Sequence, residues 1–345
     1  MLGNKYGTHR VLEPKGVLPQ PALRIDNNMD VLYDNEILVD VSMLNIDAAS
    51  FTQIKKEVGA DEEKVANKIM EIVGKRGKMH NPITGSGGML IGKISKIGKA
   101  LEGKVKVNVG DEIATLVSLS LTPLKIERIK KVHLNTDQVE VKAKAIIFES
   151  GVYAKLPSNM DRKLALAILD VAGAPAQTAR LVKPGDKVVI IGASGKSGTL
   201  CSYVAKKYAG VTGKVIALVH SKERAKHLEK LGITNIAEVD ATDAIEVESI
   251  VSKFTNGEMA DVTINVVNVP NTEMASILAT KNYGIVYFFS MATSFTKAAL
   301  GAEGVGKDVN MIIGNGYMTG HAEIALETVR ESEKIRGIFE SLYVN

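Results

Sequence analysis

The residues best suited to hold a charged ligand are three evenly spaced glycines. Val188-Val189-Ile190-Ile191 is an all-apolar run, and Gly192-Ala193-Ser194-Gly195-Lys196-Ser197-Gly198 follows it with glycine at every third position. A buried strand that ends in such a turn and feeds a helix makes a cradle for a pyrophosphate. The first glycine permits the tight turn, the second lets the backbone approach the phosphates, and the third lets helix and strand touch. The helix N-terminus adds free N–H groups and the positive end of its dipole. Gly192, Ser194, Gly195, Lys196, Ser197 and Gly198 are therefore the dinucleotide-binding candidates. The spacing is G-x-x-G-x-x-G, not the commoner G-x-G-x-x-G, and a purely structural turn remains the alternative. The phosphate loop of nucleoside triphosphatases needs four residues between its first glycine and its Gly-Lys pair. Only two separate Gly192 from Gly195, which argues against that chemistry.

The next apolar run, Val215–Val219, leads into His220-Ser221-Lys222-Glu223-Arg224. NAD usually requires an acid at this strand end to hold its ribose hydroxyls, and none stands there. Ser221, Lys222 and Arg224 suit a 2′-phosphate, or form a capped helix start with solvated basic residues; His220, Ser221 and Arg224 are the cofactor candidates of this stretch, and NAD and NADP both stay open. Asn268 and Val269 follow the apolar run 262–267, and Ser290 follows 284–289. Both lie at C-terminal strand ends, where open α/β sheets bind ligands, with ordinary turns as the alternative.

The elements that must position these residues fall into two halves. Residues 1–30 carry scattered Pro and Gly and read as an arm wrapped over a domain. Ile37–Leu44 reads as a strand, and 60–73 as a helix that Asp61 caps and that places Val65, Ile69 and Ile72 on one face. A turn at Gly85-Ser86-Gly87-Gly88 feeds a strand over 89–98, and 104–150 reads as several short antiparallel strands. From 156 onward the pattern changes to helices over 161–172, 197–208, 222–231 and 321–335. They alternate with short apolar strands at 188–191, 215–219, 236–239, 262–267, 284–289 and 311–314. That alternation predicts a doubly wound parallel sheet after a mostly β first half, an α/β fold of two domains.

Composition limits the partners. The chain has 345 residues, 45% hydrophobic and 24% charged, with a net charge of +4 and no long basic tract, so nucleic acid is not expected as a partner. A single Cys rules out an intrachain disulfide and any multi-cysteine metal site. No apolar run is long enough to span a membrane and the N-terminus lacks an apolar signal core, so the expected location is the cytoplasm.

The order of parts resembles the medium-chain dehydrogenase/reductase superfamily. The resemblance rests on Ile37–Ala49, Asn81–Gly88, Leu181-Val182-Lys183-Pro184-Gly185-Asp186-Lys187-Val188 and Asp261–Asn265. It implies a GroES-like, partly open β-barrel domain over 1–155, with a C-terminal return at 316–345, and a Rossmann NAD(P)-binding domain over 156–315. Zinc-dependent members carry a Cys near Asn45 and a His-Glu pair near 85–89. This chain has neither, so no metal is expected. Met1–Val11, Val39–Asp47 and Gly314-Asn315-Gly316-Tyr317 are similar to a zinc-independent branch, the 3,5-diaminohexanoate dehydrogenases of anaerobic lysine fermentation. That resemblance implies oxidative deamination of a 3-amino group to 5-amino-3-oxohexanoate, with NAD or NADP reduced and ammonium released. It also favours a homodimer joined at the sheet edge near 309–314.

Amine oxidation by hydride loss needs a neutral amine, a stabilised iminium and an oriented water, and a nearby carboxylate serves all three. The superfamily resemblance places the loop after the early strand against the nicotinamide, which makes Asp47 the first candidate for base or iminium partner. Asn45 and Ser50 are candidates to bind the amine or orient water. His80, just before the glycine turn, is a candidate proton carrier, and Thr84 a ligand for the substrate carboxylate. Glu149 and Tyr153 flank the crossing between domains, with Glu149 suited to the distal ammonium. Each has a bland alternative as a loop, cap or packing residue. His133 and Cys201 read as structural. Two other functions compete: a zinc-independent NADPH-dependent quinone or enone reductase, and a non-enzymatic protein that keeps a nucleotide fold.

Overall fold

The first half is built on long antiparallel strands. The computed structural model describes residues 1–314 and 316–344, so Asn315 of the Gly314–Tyr317 motif lies outside the described residues. The elements of residues 1–160 are β1 (Val11–Glu13), β2 (Arg24–Ile25), β3 (Glu36–Ile46), α1 (Ala48–Val58), α2 (Glu62–Arg76), β4 (Gly88–Ile97), β5 (Glu112–Thr115), β6 (Leu124–His133), β7 (Gln138–Phe148) and β8 (Tyr153–Lys155). Six of the strands form one sheet in the order β6-β7-β3-β4-β5-β8, antiparallel throughout. Where short strands were expected over 104–150, β6 and β7 run ten and eleven residues. The turn between them holds the expected break at Asn135–Asp137, and Asp137 there takes a left-handed φ of 57°.

Helix α2 forms as its pattern demands. The Asp61 carboxylate accepts from the Lys64 N–H, Val65 and Ile69 are fully buried, and Gly77 ends the helix at φ 73°. Helix α1 occupies a stretch read from sequence as a loop. Asp47 caps it, and Phe51 and Ile54 drive it onto the barrel core beside Ile37, Val39 and Leu44. The arm over 1–30 is fastened from within. Arg10 is fully buried, and its guanidinium donates to both oxygens of Glu36 at 2.6 and 2.7 Å. Burial alone would raise the Glu36 pKa. Hydrogen bonds from Arg10, His9 and the Tyr33 N–H outweigh it and hold the carboxyl at about 2.

Residues 161–345 contain α3 (Arg162–Leu169), α4 (Gly173–Leu181), β9 (Lys187–Ile191), α5 (Lys196–Ala209), β10 (Lys214–Val219), α6 (Lys226–Lys230), β11 (Asn235–Glu238), α7 (Ala244–Thr255), β12 (Ala260–Asn265), α8 (Glu273–Leu278), β13 (Thr280–Phe288), α9 (Phe295–Gly304), β14 (Asn310–Ile313), α10 (His321–Arg330) and α11 (Glu333–Tyr343). Every strand pairing is parallel, in the order β11-β10-β9-β12-β13-β14. This is the doubly wound Rossmann order, and its switch point lies between β9 and β12. Val188, Val189, Ile190 and Ile191 show no exposure, as a central strand covered on both faces requires.

One expected helix ends early and another is divided. The helix expected over 161–172 is α3, which stops at Leu169, and α4 follows it as a helix not expected from sequence; 321–335 breaks at Glu331-Ser332 into α10 and α11, the latter capped by Ser332. Helices α10 and α11 pack on α3 and α4. Residues 316–344 therefore group with the second unit and not with the first, and the division falls between 160 and 161.

Candidate functional site

The three glycines of the turn do three different things. Gly192 has a φ of 86°, and an added Cβ would stand 2.9 Å from the Val267 Cβ, so both conformation and space demand glycine. At Gly198 an added Cβ would lie 2.2 Å from the Gly192 carbonyl oxygen and 2.6 Å from the Ala193 Cα, because α5 meets the end of β9 directly. Gly195 is different. Its φ of −77° and ψ of 175° suit any residue, and an added Cβ would meet only the Gly192 oxygen, at 3.5 Å. The protein's own packing does not need glycine there, and its absence of a side chain leaves the backbone open to close approach. Gly195 is also the N-cap of α5 and supplies no side-chain cap. The first-turn amides of Lys196, Ser197 and Gly198 have no intrahelical acceptor, the state a bound anion relieves. The residues present fit a dinucleotide pyrophosphate.

Above this turn, at the C-terminal ends of β9, β10, β11 and β12, lies a cleft of about 360 Å³. Gly192, Ser194, Gly195, His220, Asn268 and Val269 line it, which brings together six of the expected cofactor residues. Sequence reading missed Asp240 on the β11 side of the cleft. An acid just past the third strand was the available signal. Its Oδ1 accepts from the Thr242 N–H at 2.9 Å and from the Thr242 hydroxyl at 2.8 Å, and these bonds lower its pKa.

Other expected residues stand elsewhere. The Lys196 ammonium is held 2.9 Å from Asp170 and lies 5.4 Å from the centre of the Tyr343 ring, so Lys196 offers the cleft its N–H and not its charge. Arg224 lines a neighbouring cavity. Ser221 is half-buried after β10, outside the residues that line the cleft. Ser290 closes a turn after β13, its hydroxyl accepting from the Ala292 N–H at 3.1 Å.

In the first unit, the end of β3 carries a chain of polar side chains. Asp47 Oδ1 accepts from the Ala49 N–H at 3.0 Å, which caps α1, and from the Ser86 hydroxyl at 3.1 Å. Ser86 Oγ lies 2.6 Å from Ser50 Oγ, and Ser50 Oγ lies 2.5 Å from Thr84 Oγ1. When Asp47 carries its charge it only accepts, and each hydroxyl has one proton. The chain then runs Thr84 to Ser50 to Ser86 to Asp47. The Thr84 proton is spent inward, which leaves this hydroxyl an acceptor and counts against its binding a carboxylate. No hydrogen bond within the protein occupies Asp47 Oδ2 among the described residues. Asp47 and Thr84 are exposed, whereas Ser50 is fully buried. Ser86 is the residue the sequence reading missed. The Thr84-Gly85-Ser86 pair of hydroxyls around a turn was its only trace.

Asn45 is half-buried on β3 opposite Met89 and Gln138, at the same end of the sheet. Tyr153 pairs with Thr115 towards that end, three strands across; burial raises its pKa. His80 turns towards Arg76, 3.5 Å from its guanidinium. Burial, with Lys78 and Arg76 nearby, pushes its pKa down to about 4, so the imidazole is neutral at pH 7. Glu149 does not join the cluster. The register pairs Phe148 with Glu36 at the start of β3, and Asp47 follows its end, roughly 35 Å of strand path away. Glu149 instead accepts from the Asn35 amide at 2.9 Å. Among the described residues, no group of three or more His, Cys, Asp or Glu is placed to hold a metal ion.

Residues 9–157 match the family model for the L-erythro-3,5-diaminohexanoate dehydrogenase N-terminal domain, and 197–312 match the zinc-binding dehydrogenase model. The chain is 62% identical over 345 residues to an L-erythro-3,5-diaminohexanoate dehydrogenase of Acetoanaerobium sticklandii, covering 100% of both chains. It is 58% identical over 343 residues to the protein of that name from Fusobacterium nucleatum subsp. nucleatum, covering 99% of both. An alcohol dehydrogenase from Thermus sp. ATN1 shares the fold with a TM-score of 0.56 at 18% identity, over 89% of this chain and 85% of that one. The chain belongs to the L-erythro-3,5-diaminohexanoate dehydrogenase family, on the fold of the medium-chain dehydrogenases and reductases.

Proposed function

We propose that this protein oxidatively deaminates L-erythro-3,5-diaminohexanoate at C3, giving 5-amino-3-oxohexanoate and ammonium, with NAD or NADP as hydride acceptor. The substrate comes from the names of the two full-length relatives. The observation that carries a cofactor-dependent reaction is the glycine turn, where Gly195 leaves space the fold does not use. The nicotinamide cofactor, when bound, supplies the hydride acceptor. The amides of Lys196, Ser197 and Gly198 hold its pyrophosphate. His220, Asp240, Asn268 and Val269 line the cleft that takes its nucleoside parts.

In this reading Asp47 handles charge on the substrate. Its Oδ1 is fixed by the Ala49 N–H and Ser86, so the free Oδ2 points to a defined place. Oδ2 accepts one proton from the C3 ammonium, directly or through water, which frees the nitrogen lone pair. The hydride then leaves C3 with its electron pair, and the C3–N bond becomes an iminium. Once Asp47 has passed that proton on to solvent, its carboxylate beside the cation favours the iminium over the neutral amine. Water adds to C3, and collapse of the carbinolamine expels the nitrogen, which leaves as ammonium. Ser50, Thr84 and Ser86 keep the carboxylate oriented, and Thr84 accepts a hydrogen bond from water or amine. A homodimer across the outer edge of β14 belongs to the same reading, supported by Phe295, Leu300 and Ile313, each more than 60% exposed.

Incubation with the diamino acid and either cofactor tests the proposal. Reduced nicotinamide should appear together with ammonium. Absence of that reaction, with reduced cofactor oxidised by quinones or enones instead, would establish the competing reductase activity.

A further inference from the structure

Beside the glycine turn, α6 and α11 wall a second cavity of about 700 Å³, which shares only Ser194 with the cofactor cleft. Its charges are unbalanced. Arg224, Lys226, Lys230 and Lys334 face it, against the carboxylates of Glu223 and Glu333. Lys226 pairs with Glu223 at 3.8 Å. Among the described residues, Arg224, Lys230 and Lys334 have no carboxylate within ion-pair distance. Cations gathered on one concave wall focus a positive potential into it and draw in a counter-ion.

A second observation concerns shape. Gly337 sits inside α11 and faces this cavity, and an added Cβ would meet nothing within 4 Å. Glycine inside a helix costs about 1 kcal/mol relative to alanine. Neither backbone angle nor packing asks for it here, so the room it leaves is its one structural effect. Leu342 and Tyr343 give the same wall an apolar end. His227 adds no charge at pH 7. Burial lowers its pKa, and its Nε2 is 2.9 Å from the Thr199 hydroxyl. The cavity thus carries a formal excess of two positive charges, the complement of a phosphomonoester dianion.

We infer that this cavity binds the phosphate of a phosphomonoester, with Lys230, Lys334 and Arg224 supplying charge and Gly337 the room for its organic part. The same chemistry is offered by the 2′-phosphate of a nicotinamide cofactor and by a separate phosphorylated metabolite. Calorimetric titration of the whole protein with inorganic phosphate, NAD and NADP tests the inference and separates the two sources. Phosphate should bind the native protein. Lys334→Glu should weaken it at least about tenfold, the scale of one charge-assisted hydrogen bond. Gly337→Leu should weaken binding of an ester such as 2′,5′-ADP, while NAD affinity stays within error and Tm does not fall in either variant. An advantage of NADP over NAD that Lys334→Glu abolishes assigns the phosphate to the cofactor. Phosphate that binds together with NADP, with no NADP advantage, assigns it to a separate ester. The inference is overturned if phosphate fails to bind, or binds both folded variants as it binds the native protein. Failure of the cofactor reading would show separately, as absence of NAD and NADP binding to the native protein.

Discussion

Gly195→Val separates the two uses a glycine turn can have. The backbone of Gly195 is extended, at φ −77° and ψ 175°, and β-branched residues accept that conformation readily. An added Cβ meets only the Gly192 carbonyl oxygen at an ordinary 3.5 Å. The folding cost is then that of a poorer N-cap, about 1 kcal/mol, or roughly 2–4 °C in the Tm of a unit this size. The ligand loses much more. A branched side chain over the start of α5 keeps a pyrophosphate from the Lys196, Ser197 and Gly198 amides. Charge-assisted hydrogen bonds contribute about 1.5–3 kcal/mol each, so losing two weakens binding about 10²–10⁴-fold. Gly198→Ala is the opposite control. Its Cβ would lie 2.2 Å from the Gly192 oxygen, a backbone atom, and should destabilise the fold by about 1–3 kcal/mol or more. Fluorescence titration with NADH and NADPH, alongside thermal melts, reads both quantities. Unchanged cofactor affinity in Gly195→Val would refute the assignment of this turn.

Asp47→Asn keeps the α1 cap and removes the charge; kcat should fall about 10²–10⁴-fold while cofactor affinity, measured by titration, stays within twofold. Turnover should be unaffected by strong chelators, and elemental analysis should find no stoichiometric zinc; a metal lost together with activity would contradict this. Glu36 is held at about pKa 2 in the fold, against 4.5 when free. Its contribution of about 3 kcal/mol is present above pH 4.5 and is lost as pH falls towards 2. Glu36→Gln should remove that acid limb from the stability profile and, by leaving Arg10 buried without its partner, should cost about 3–5 kcal/mol at neutral pH.

The second half was legible because its signals are local. A central strand buried on both faces must be apolar throughout, as Val188–Ile191 is, and the turn that follows needs glycine for reasons confined to a few atoms. The long helices that declared themselves did so through cap and stripe, as Asp61 with Val65 and Ile69 shows. What escaped depends on contacts between distant segments. Helix α1 has one short apolar face, and its existence rests on packing Phe51 and Ile54 against strands far along the chain. Ser86 matters only because Ser50 and Asp47, 36 and 39 residues away, come within hydrogen-bond reach of it. Glu149 looked well placed by its position in the chain, yet strand register puts it at the wrong end of the sheet. Asp240 reaches the cleft above the glycine turn because β11 pairs beside β10, a topological fact with only a strand-end acid to announce it.

The central claim is that the hydride leaves C3 of a diamino acid and the amine leaves with it. L-erythro-3,5-diaminohexanoate carrying deuterium at C3 tests this most directly, with mass analysis of the nicotinamide product and a count of ammonium released. One deuterium in each reduced nicotinamide, a slowed hydride step and one ammonium per turnover is the predicted result. Reduced cofactor without deuterium, ammonium release without cofactor reduction, or no reaction with this substrate would contradict it.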